Sequence, residues 1–584
     1  MAGHSAVYGS LNADVESAPL VPNAASLSSS TVNGQQQVDS PNEDGPGWQH
    51  EDPSVNPWYQ LKNRKQELNR VICFFLVLAA GLIAVVVTAV IYSKRAFAES
   101  NEKRNIIFMI SDGFGPASQT MARQYYTTIN SLPDDYQLPL DTIHVGSVRT
   151  KSSSSLVTDS AAGATAYSCA IKTYNGAIAV DDHRKPCGTV LEAAKLAGYT
   201  TALVVTSRIT HATPASFAAH IPDRDLENQI ALQLVGNHTL GQTVDIMMGG
   251  GYCHFLPSSA RSSCRSDDIN VFDMAAVNGF HLVNDKKGFD DVNVQSRLPI
   301  LALFTPDHMS FSIDRDRGKE PSLADMATKA LDLLTATIST ASDSKGFFIM
   351  IEGSRIDMAA HSNDAAAHLE DILAYNEAIQ VAKKYVDKIP NTVLISTSDH
   401  ETGGLSVAKQ LTEQYPQYKW NPRALTNVKN STEIIGRYLA TTYPMGASQA
   451  VMKQILADWL DITDPTPAEL QWLTCGGKTA GQYDYFLGPM VANRAWLGWS
   501  THGHSAVDVG LYVYGTGAES LKGNKDNTEI GNFLAKYLQV DLVAVTAKLQ
   551  KASERVWKPQ EQTIMMAPSY HEVHHHSKDR DYIN

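Results

Sequence analysis

Val393-Leu394-Ile395-Ser396-Thr397 runs straight into Ser398-Asp399-His400-Glu401-Thr402-Gly403-Gly404. The first five residues are apolar or β-branched, too short a run for a helix and the right length for a strand buried on both faces. The next seven turn polar at once and end on two glycines. They set a carboxylate and an imidazole side by side, just past the carboxyl end of that strand.

The pattern recurs along the chain. Residues 106–110 (Ile-Ile-Phe-Met-Ile) lead into Ser111-Asp112-Gly113-Phe114-Gly115. Residues 347–351 lead into Glu352-Gly353-Ser354-Arg355-Ile356-Asp357, then His361. Thr501-His502-Gly503-His504-Ser505-Ala506-Val507-Asp508 stands just before another apolar run at 509–514. Runs at 202–206 and 244–248 have the same character, and helical stretches at 190–196 and 365–386 lie between runs. This alternation predicts an α/β fold, a three-layer α/β/α sandwich around a mainly parallel central sheet. Sites in such sheets gather at the carboxyl ends of the strands, so the four ligand groups are expected to converge. Imidazole together with carboxylate suits zinc, and Asp357 and His361, four residues apart, would share one helical face. Any one group reads equally well as a cap or a surface cluster. Repetition at successive strand ends is what favours a metal centre.

Thr158-Asp159-Ser160 stands before a run of small helix formers, Ala161-Ala162-Gly163-Ala164-Thr165-Ala166. Ser160 is therefore expected at a helix N-terminus, where backbone N–H groups and the helix dipole favour an anion. Spacing alone also allows a plain N-cap. A metal beside it would instead lower the hydroxyl pKa and make a nucleophile.

Four stretches, in this order, resemble the alkaline phosphatases: the one around Ser160, His211-Ala212-Thr213-Pro214-Ala215, the one from Glu352 to Asp357, and the one from Ser398 to Gly404. The likeness extends over residues 104–549 and is strongest to the family's fungal vacuolar members. It implies hydrolysis of small phosphate monoesters, over a broad range, through a phosphoserine on Ser160, with two zinc ions activating Ser160 and water. It implies Asp357, His361 and His504 as ligands of one zinc, and Asp112, Asp399 and His400 as ligands of the other. The family's histidine four residues before Asp-Val selects His504 over His502. Asp112 would bridge to one magnesium with Thr213 and Glu352, near His211. Arg224, in Pro222-Asp223-Arg224-Asp225, would grip two phosphate oxygens, a task its planar fork suits. Many bacterial members have Asp at the His211 position and Lys at the Met358 position, whereas animal members have His at both, so the third metal site departs from both patterns. The resemblance also implies a homodimer. Three other readings compete. A sulfatase would need Cys or Ser in a C/S-x-P-x-R sequence, absent around Ser160. Related phosphodiesterases generally carry Thr at that position. A catalytically silent, membrane-tethered binding protein would have no use for the nucleophile.

Composition bounds the rest. With 584 residues and 43% hydrophobic content, most of the chain is expected to be globular. A net charge of −13 argues against nucleic acid as a specific partner, yet not against an anionic substrate, since a bound metal reverses the local field. Residues 71–92 carry no charge and are long enough to cross ~30 Å of hydrocarbon. Lys62, Arg64, Lys65 and Arg70 precede this run, whereas Lys94 and Arg95 after it are followed by Glu99 and Glu102. The bias predicts a single-pass signal anchor with a cytosolic N-terminus and a luminal remainder. Residues 1–70, poor in apolar side chains, are expected to be a disordered cytosolic tail, with a sorting-type motif at 16–21. A short luminal stalk at 93–103 and a catalytic domain at 104–550 follow. An insertion around 409–487, rich in Trp, Tyr and Pro, is expected to border the site. The last segment, 551–584, is expected to be flexible, with solvated histidines at His571 and His574 to His576, and its last ~25 residues are expected to be dispensable for activity. Asn237 and Asn430 fit the glycosylation pattern. Cys253 and Cys264 flank a short polar loop and suit a disulfide in a lumen; Cys169, Cys187 and Cys475 are left without assigned partners. The family likeness, not the physics, names the vacuole membrane.

Overall fold

The computed structural model describes residues 57–556. The motif at 16–21, the rest of 1–56 and the histidine-bearing stretch 557–584 lie outside the described residues. The chain divides into two units, one ending at Lys94 and one beginning at Arg95.

The first unit holds most of one long helix, α1 (Pro57–Asn101), which runs on past Lys94. Within it Gln60–Val90 is long and apolar enough to cross a membrane, and its most apolar stretch has no buried residue. Two sequence expectations are corrected here. Residues 57–70 are helix rather than disordered tail, and most of the expected stalk at 93–103 is helix too. Proline at the first helical position loses no N–H bond, and the Gln, Leu, Lys and Glu that follow are strong helix formers. The helix therefore has no reason to begin where the charges stop.

The second unit is built on a ten-stranded sheet. Its strands, in chain order, are β1 (Arg104–Ser111), β2 (His144–Arg149), β3 (Thr200–Arg208), β4 (Ile246–Gly250), β5 (His281–Val283), β6 (Ile300–Leu303), β7 (Gly346–Gly353), β8 (Thr392–Thr397), then Val509–Tyr514 and Gly523–Asp526. From one edge to the other the order is Gly523–Asp526, β2, Val509–Tyr514, β8, β1, β7, β3, β4, β6, β5. Val509–Tyr514 runs antiparallel to both β2 and β8, and every other pairing is parallel. The central strands alternate strictly. Ile107 and Met109 of β1 join the core on one face, while Ile106, Phe108 and Ile110 join the core on the other. Burial on both faces is why these strands read as unbroken apolar runs.

Helices cover both faces. One layer includes α3 (Ser160–Cys169), α4 (Val190–Leu196), α5 (Ala212–Ala218) and α6 (Glu227–Leu234); the other includes α2 (Pro116–Ile129), Leu323–Thr340 and Ala365–Lys388. Residues 409–487, expected to be an insertion, contain the helices Thr432–Thr442, Gln449–Leu460 and Pro467–Thr474, and the start of Ala480–Ala495, which runs on past Leu487. At the C-terminus the helix Leu542–Val556 continues past 551, where a flexible tail was expected. Disulfides join Cys253 to Cys264 and Cys169 to Cys187; Cys73 and Cys475 are free.

Candidate active site

The sheet register explains why distant residues meet. Ile110 of β1 lies abreast of Glu352 on β7 and Thr397 on β8. Asp112 therefore leaves the sheet beside Glu352, and Asp399 and His400 leave it one strand over. Val509–Tyr514 is antiparallel, so its beginning lies at this same edge, which brings His504 to the carboxyl ends of the parallel strands. The turn after β1 requires glycine: Gly113 has φ +73°, and a Cβ there would stand 2.6 Å from the Asp357 Cα. The small residues of α3 have a similar cause. A Cβ on Gly163 would already lie 3.0 Å from the Asp399 Cβ, so the helix seats directly on the end of β8.

Ser160 is the first residue of α3, and Asp159, not Ser160, is the N-cap: its Oδ1 accepts from the Ala162 N–H at 3.0 Å. The serine hydroxyl is thereby spared capping. Its Oγ lies 3.0 Å from His400 Nε2 and is buried. Asp159 also accepts, on Oδ2, from Arg224 NH1 at 3.0 Å and from Gly176 N at 2.9 Å. Sequence reasoning missed Asp159; its signal was an aspartate directly before a helix start.

Two ligand groups surround Ser160. In the first, His400 Nε2 stands 3.5 Å from Asp112 Oδ1 and 3.4 Å from Asp399 Oδ2. In the second, His361 Nε2 stands 3.3 Å from Asp357 Oδ2 and 3.1 Å from His504 Nε2, and His504 Nε2 is 3.7 Å from Asp357 Oδ1. Each imidazole is held from behind. His504 Nδ1 donates to the Thr158 carbonyl at 2.8 Å, and His361 Nδ1 to the His502 carbonyl. His400 Nδ1 faces Thr402 Oγ1 at 3.2 Å, which in turn donates to Asp357 Oδ1 at 2.5 Å. These bonds turn the three Nε2 lone pairs into the cleft, the usual outer support of metal-binding histidines. His502 points elsewhere, its Nδ1 donating to the His361 carbonyl at 2.6 Å.

The donor set fits cations. With both Nδ1 atoms donating, the His361 and His504 Nε2 lone pairs oppose each other at 3.1 Å, which a cation between them relieves. Both Asp112 oxygens, Asp399 Oδ2, Glu352 Oε1, Thr213 Oγ1 and His211 Nδ1 are buried without a hydrogen-bond partner, which is costly unless something else satisfies them. Burial first, then Asp399, Asp357 and Glu352, pushes the Asp112 carboxyl well up. Burial likewise raises Asp399 to about 7, and raises Glu352 to about 7 against the pull of Ser354, Thr213, Ser207 and Asp112 beside it. Against burial, His361, His504 and His400 hold Asp357 well below the carboxylate range.

His211 lies apart from the carboxylates. It occupies the N-cap position of α5, its Nε2 is 3.2 Å from Arg224 NH2, and its ring edges against His308 with centroids 5.3 Å apart. The Arg224 side chain, 9% exposed, is thus held between Asp159 and His211. The region expected to border the site does touch its supports: Asp484 accepts from Ser362 Oγ at 2.5 Å, next to His361, and Tyr485 stacks on His502 with centroids 4.5 Å apart. Asn237 is exposed, whereas Asn430 is half-buried beside Ser431 and Thr432, which serve a helix cap and a buried network.

Comparison with known proteins agrees with this architecture. Residues 103–540 match the family model described as alkaline phosphatase. The chain is 44% identical over 510 residues to the repressible alkaline phosphatase of Saccharomyces cerevisiae, covering 83% of this chain and 90% of that one. The crystal structure of the cold-active alkaline phosphatase from Shewanella sp. superposes with a TM-score of 0.62 at 31% identity, covering 74% of this chain and 99% of that one. The alkaline phosphatase of the Antarctic bacterium TAB5, in a histidine-to-aspartate variant described as having magnesium bound in its M3 site, gives 0.53 at 28% identity, covering 76% and 99%. The chain belongs to the alkaline phosphatase family, and is accordingly a metal-dependent hydrolase of phosphate monoesters.

Proposed function

We propose that the chain hydrolyses phosphate monoesters by passing the phosphoryl group through Ser160. The observation that carries this reading is the Ser160 hydroxyl, buried at a helix start it does not cap, 3.0 Å from His400 Nε2 and between two ligand groups. Asp112, Asp399 and His400 would hold one zinc, and Asp357, His361 and His504 another. Asp112, Thr213 and Glu352, an all-oxygen set, would hold magnesium. Metals so held neutralise phosphate charge and lower the pKa of oxygen nucleophiles. The chain's own groups do the rest. Arg224, pre-oriented by Asp159 and His211, grips phosphate oxygens; the α3 backbone amides add their dipole to the same charge. Ser160 Oγ attacks phosphorus, the ester P–O bond breaks, and the alcohol leaves. Water then attacks the phosphoserine, releasing phosphate and regenerating the hydroxyl. Because these groups grip the phosphate rather than the alcohol, the range of alcohols is broad. A comparison of p-nitrophenyl phosphate with p-nitrophenyl sulfate and bis(p-nitrophenyl) phosphate tests this. The monoester is expected to lead in kcat/KM by roughly three orders of magnitude, as charge complementarity to a dianion would give; a preferred diester or sulfate overturns it.

The third metal position invites a second test. The TAB5 histidine-to-aspartate variant is described as having magnesium bound in its M3 site, and magnesium prefers oxygen to imidazole. His211→Asp is expected to lower the half-activating magnesium concentration by about tenfold. The new carboxylate would also face Arg224, so KM should rise. If magnesium titrations of the two proteins coincide at fixed low zinc, His211 has no part in that position.

We further propose that the catalytic unit lies in the vacuolar lumen behind a type II anchor, with a glycan on Asn237. The charge bias about α1, the two disulfides and the yeast relative support this. Protease added to intact vesicles should spare the catalytic unit, and glycosidase should speed its migration. Digestion of that unit with no glycosidase shift means the opposite orientation.

A further inference from the structure

Among the described residues four groups of side chains have the spacing of a cation site. Two belong to the active site. A third includes Cys253 and Cys264, whose sulfurs are joined to each other. The fourth is Glu192, His220 and His238, whose ligand atoms lie within 4.8 Å of one another, the same criterion that the active-site groups meet.

These three residues come from separate segments. Glu192 lies in α4, fully buried, where its Oε2 accepts from Thr189 N at 3.0 Å in the helix's capping box. His220 follows α5. Its Nδ1 donates to the Ala179 carbonyl at 3.0 Å, and its Nε2 faces Glu192 Oε1 at 2.8 Å. His238 follows α6, its ring centroid 6.0 Å from that of His220.

A proton on His220 Nε2 would by itself explain the contact with Glu192. It does not explain His238. Both ring nitrogens of His238 are buried, and neither meets a partner in full hydrogen-bond geometry, although the Gly241 backbone lies near the ring. An imidazole brought to a buried carboxylate and a second imidazole, and bonded to neither, is placed as a cation ligand is placed.

We propose that Glu192, His220 and His238 bind a zinc ion at a site separate from the catalytic centre. Two imidazoles and a carboxylate are zinc's ligand chemistry, with solvent in the fourth position. The His220 Nδ1 bond to a backbone carbonyl is the support such a ligand normally has. Tetrahedral zinc with bonds of about 2.0–2.1 Å sets its ligand atoms roughly 3.4 Å apart. The 2.8 Å contact must open slightly, a change side-chain rotation supplies. The ion would tie α4 to the segments that follow α5 and α6. One of those segments continues from His220 into Ile221, whose backbone pairs with Ile178, and on to Arg224.

The test is a metal count on the full-length protein in detergent, stripped and then equilibrated with zinc alone, beside the variant His238→Ala. His238 has no side-chain hydrogen-bond partner, so the substitution removes a ligand and breaks no bond between side chains. The histidines near the C-terminus are common to both proteins and cancel in the difference. Wild type is expected to retain one more zinc per chain than the variant, and zinc is expected to raise its Tm by several degrees more. Monoester turnover with the catalytic site loaded is expected to be equal in the two. If His238→Ala is recovered in poor yield, His238→Gln, which keeps more of the volume, is counted instead. Equal zinc per chain in wild type and variant overturns the proposal.

Discussion

Ser160→Ala loses phosphate release by roughly a thousandfold or more, while zinc content and melting temperature stay near those of wild type. The separation of these readouts follows from the geometry. Alanine is a good first-turn helix residue, and the cap of α3 is Asp159, so the helix start survives. Among the described residues the hydroxyl's one hydrogen bond is with His400 Nε2, and that nitrogen keeps Asp112 and Asp399 as neighbours. What disappears is the acceptor of the phosphoryl group. Residual turnover by direct attack of water would remain, since Arg224 and the ligand groups are untouched. Acid quench of the wild type with labelled monoester should leave label on Ser160, and none should be trapped on the variant. Label recovered on another residue would remove Ser160 from the mechanism.

Stripping the metals is expected to abolish turnover and lower the melting temperature together. Asp112, Asp399, Glu352 and Asp357 are all buried within one cleft, with oxygens of the first three lacking any partner. Leaving a buried charge uncompensated costs about 3–5 kcal/mol, so several such groups should shift Tm by roughly 10 °C or more. Zinc should restore activity after dialysis, and magnesium alone should not, because imidazole ligands favour the softer ion. The check pairs elemental analysis with rate and calorimetry. Full activity in protein measured as metal-free would refute the proposed chemistry outright.

The central strands were legible because burial on both faces leaves little freedom in composition: 106–110, 347–351 and 393–397 can hardly be anything else. The outer strands were not. β2, with an exposed His144 and a partly exposed Gly146 and Ser147, and Gly523–Asp526, with Asn and Lys, face water at the edge, so the apolar signal fades where packing demands less. β5 and β6 are three and four residues long, below the length at which a pattern declares itself. The helices between 432 and 495 hid for another reason, as their aromatic residues pack on one another, as Trp472 does on Phe486 with centroids 3.8 Å apart. In the site, carboxylates and imidazoles at strand ends were visible, whereas Arg224 was visible only through the family, since an arginine among aspartates reads as surface. Asp159, Thr402 and the Thr158 carbonyl support the site by bonds between segments, which one-dimensional spacing does not encode. The Cys169–Cys187 pair is of the same kind: its closeness is a property of the folded loop between them.

The one antiparallel member of the sheet gives biosynthesis a built-in delay. Val509–Tyr514 fills the gap between β2 and β8, and His504 arrives only with it. On the ribosome, Asp112 is made about 390 residues before His504, which at ordinary elongation speeds is roughly 20 to 80 seconds. For that interval the growing chain carries a serine, an arginine and most of its ligands, yet its ligand set is one histidine short. With the ligands proposed above, the half-made polypeptide is silent, and prematurely terminated chains are inert toward the phosphate esters around them.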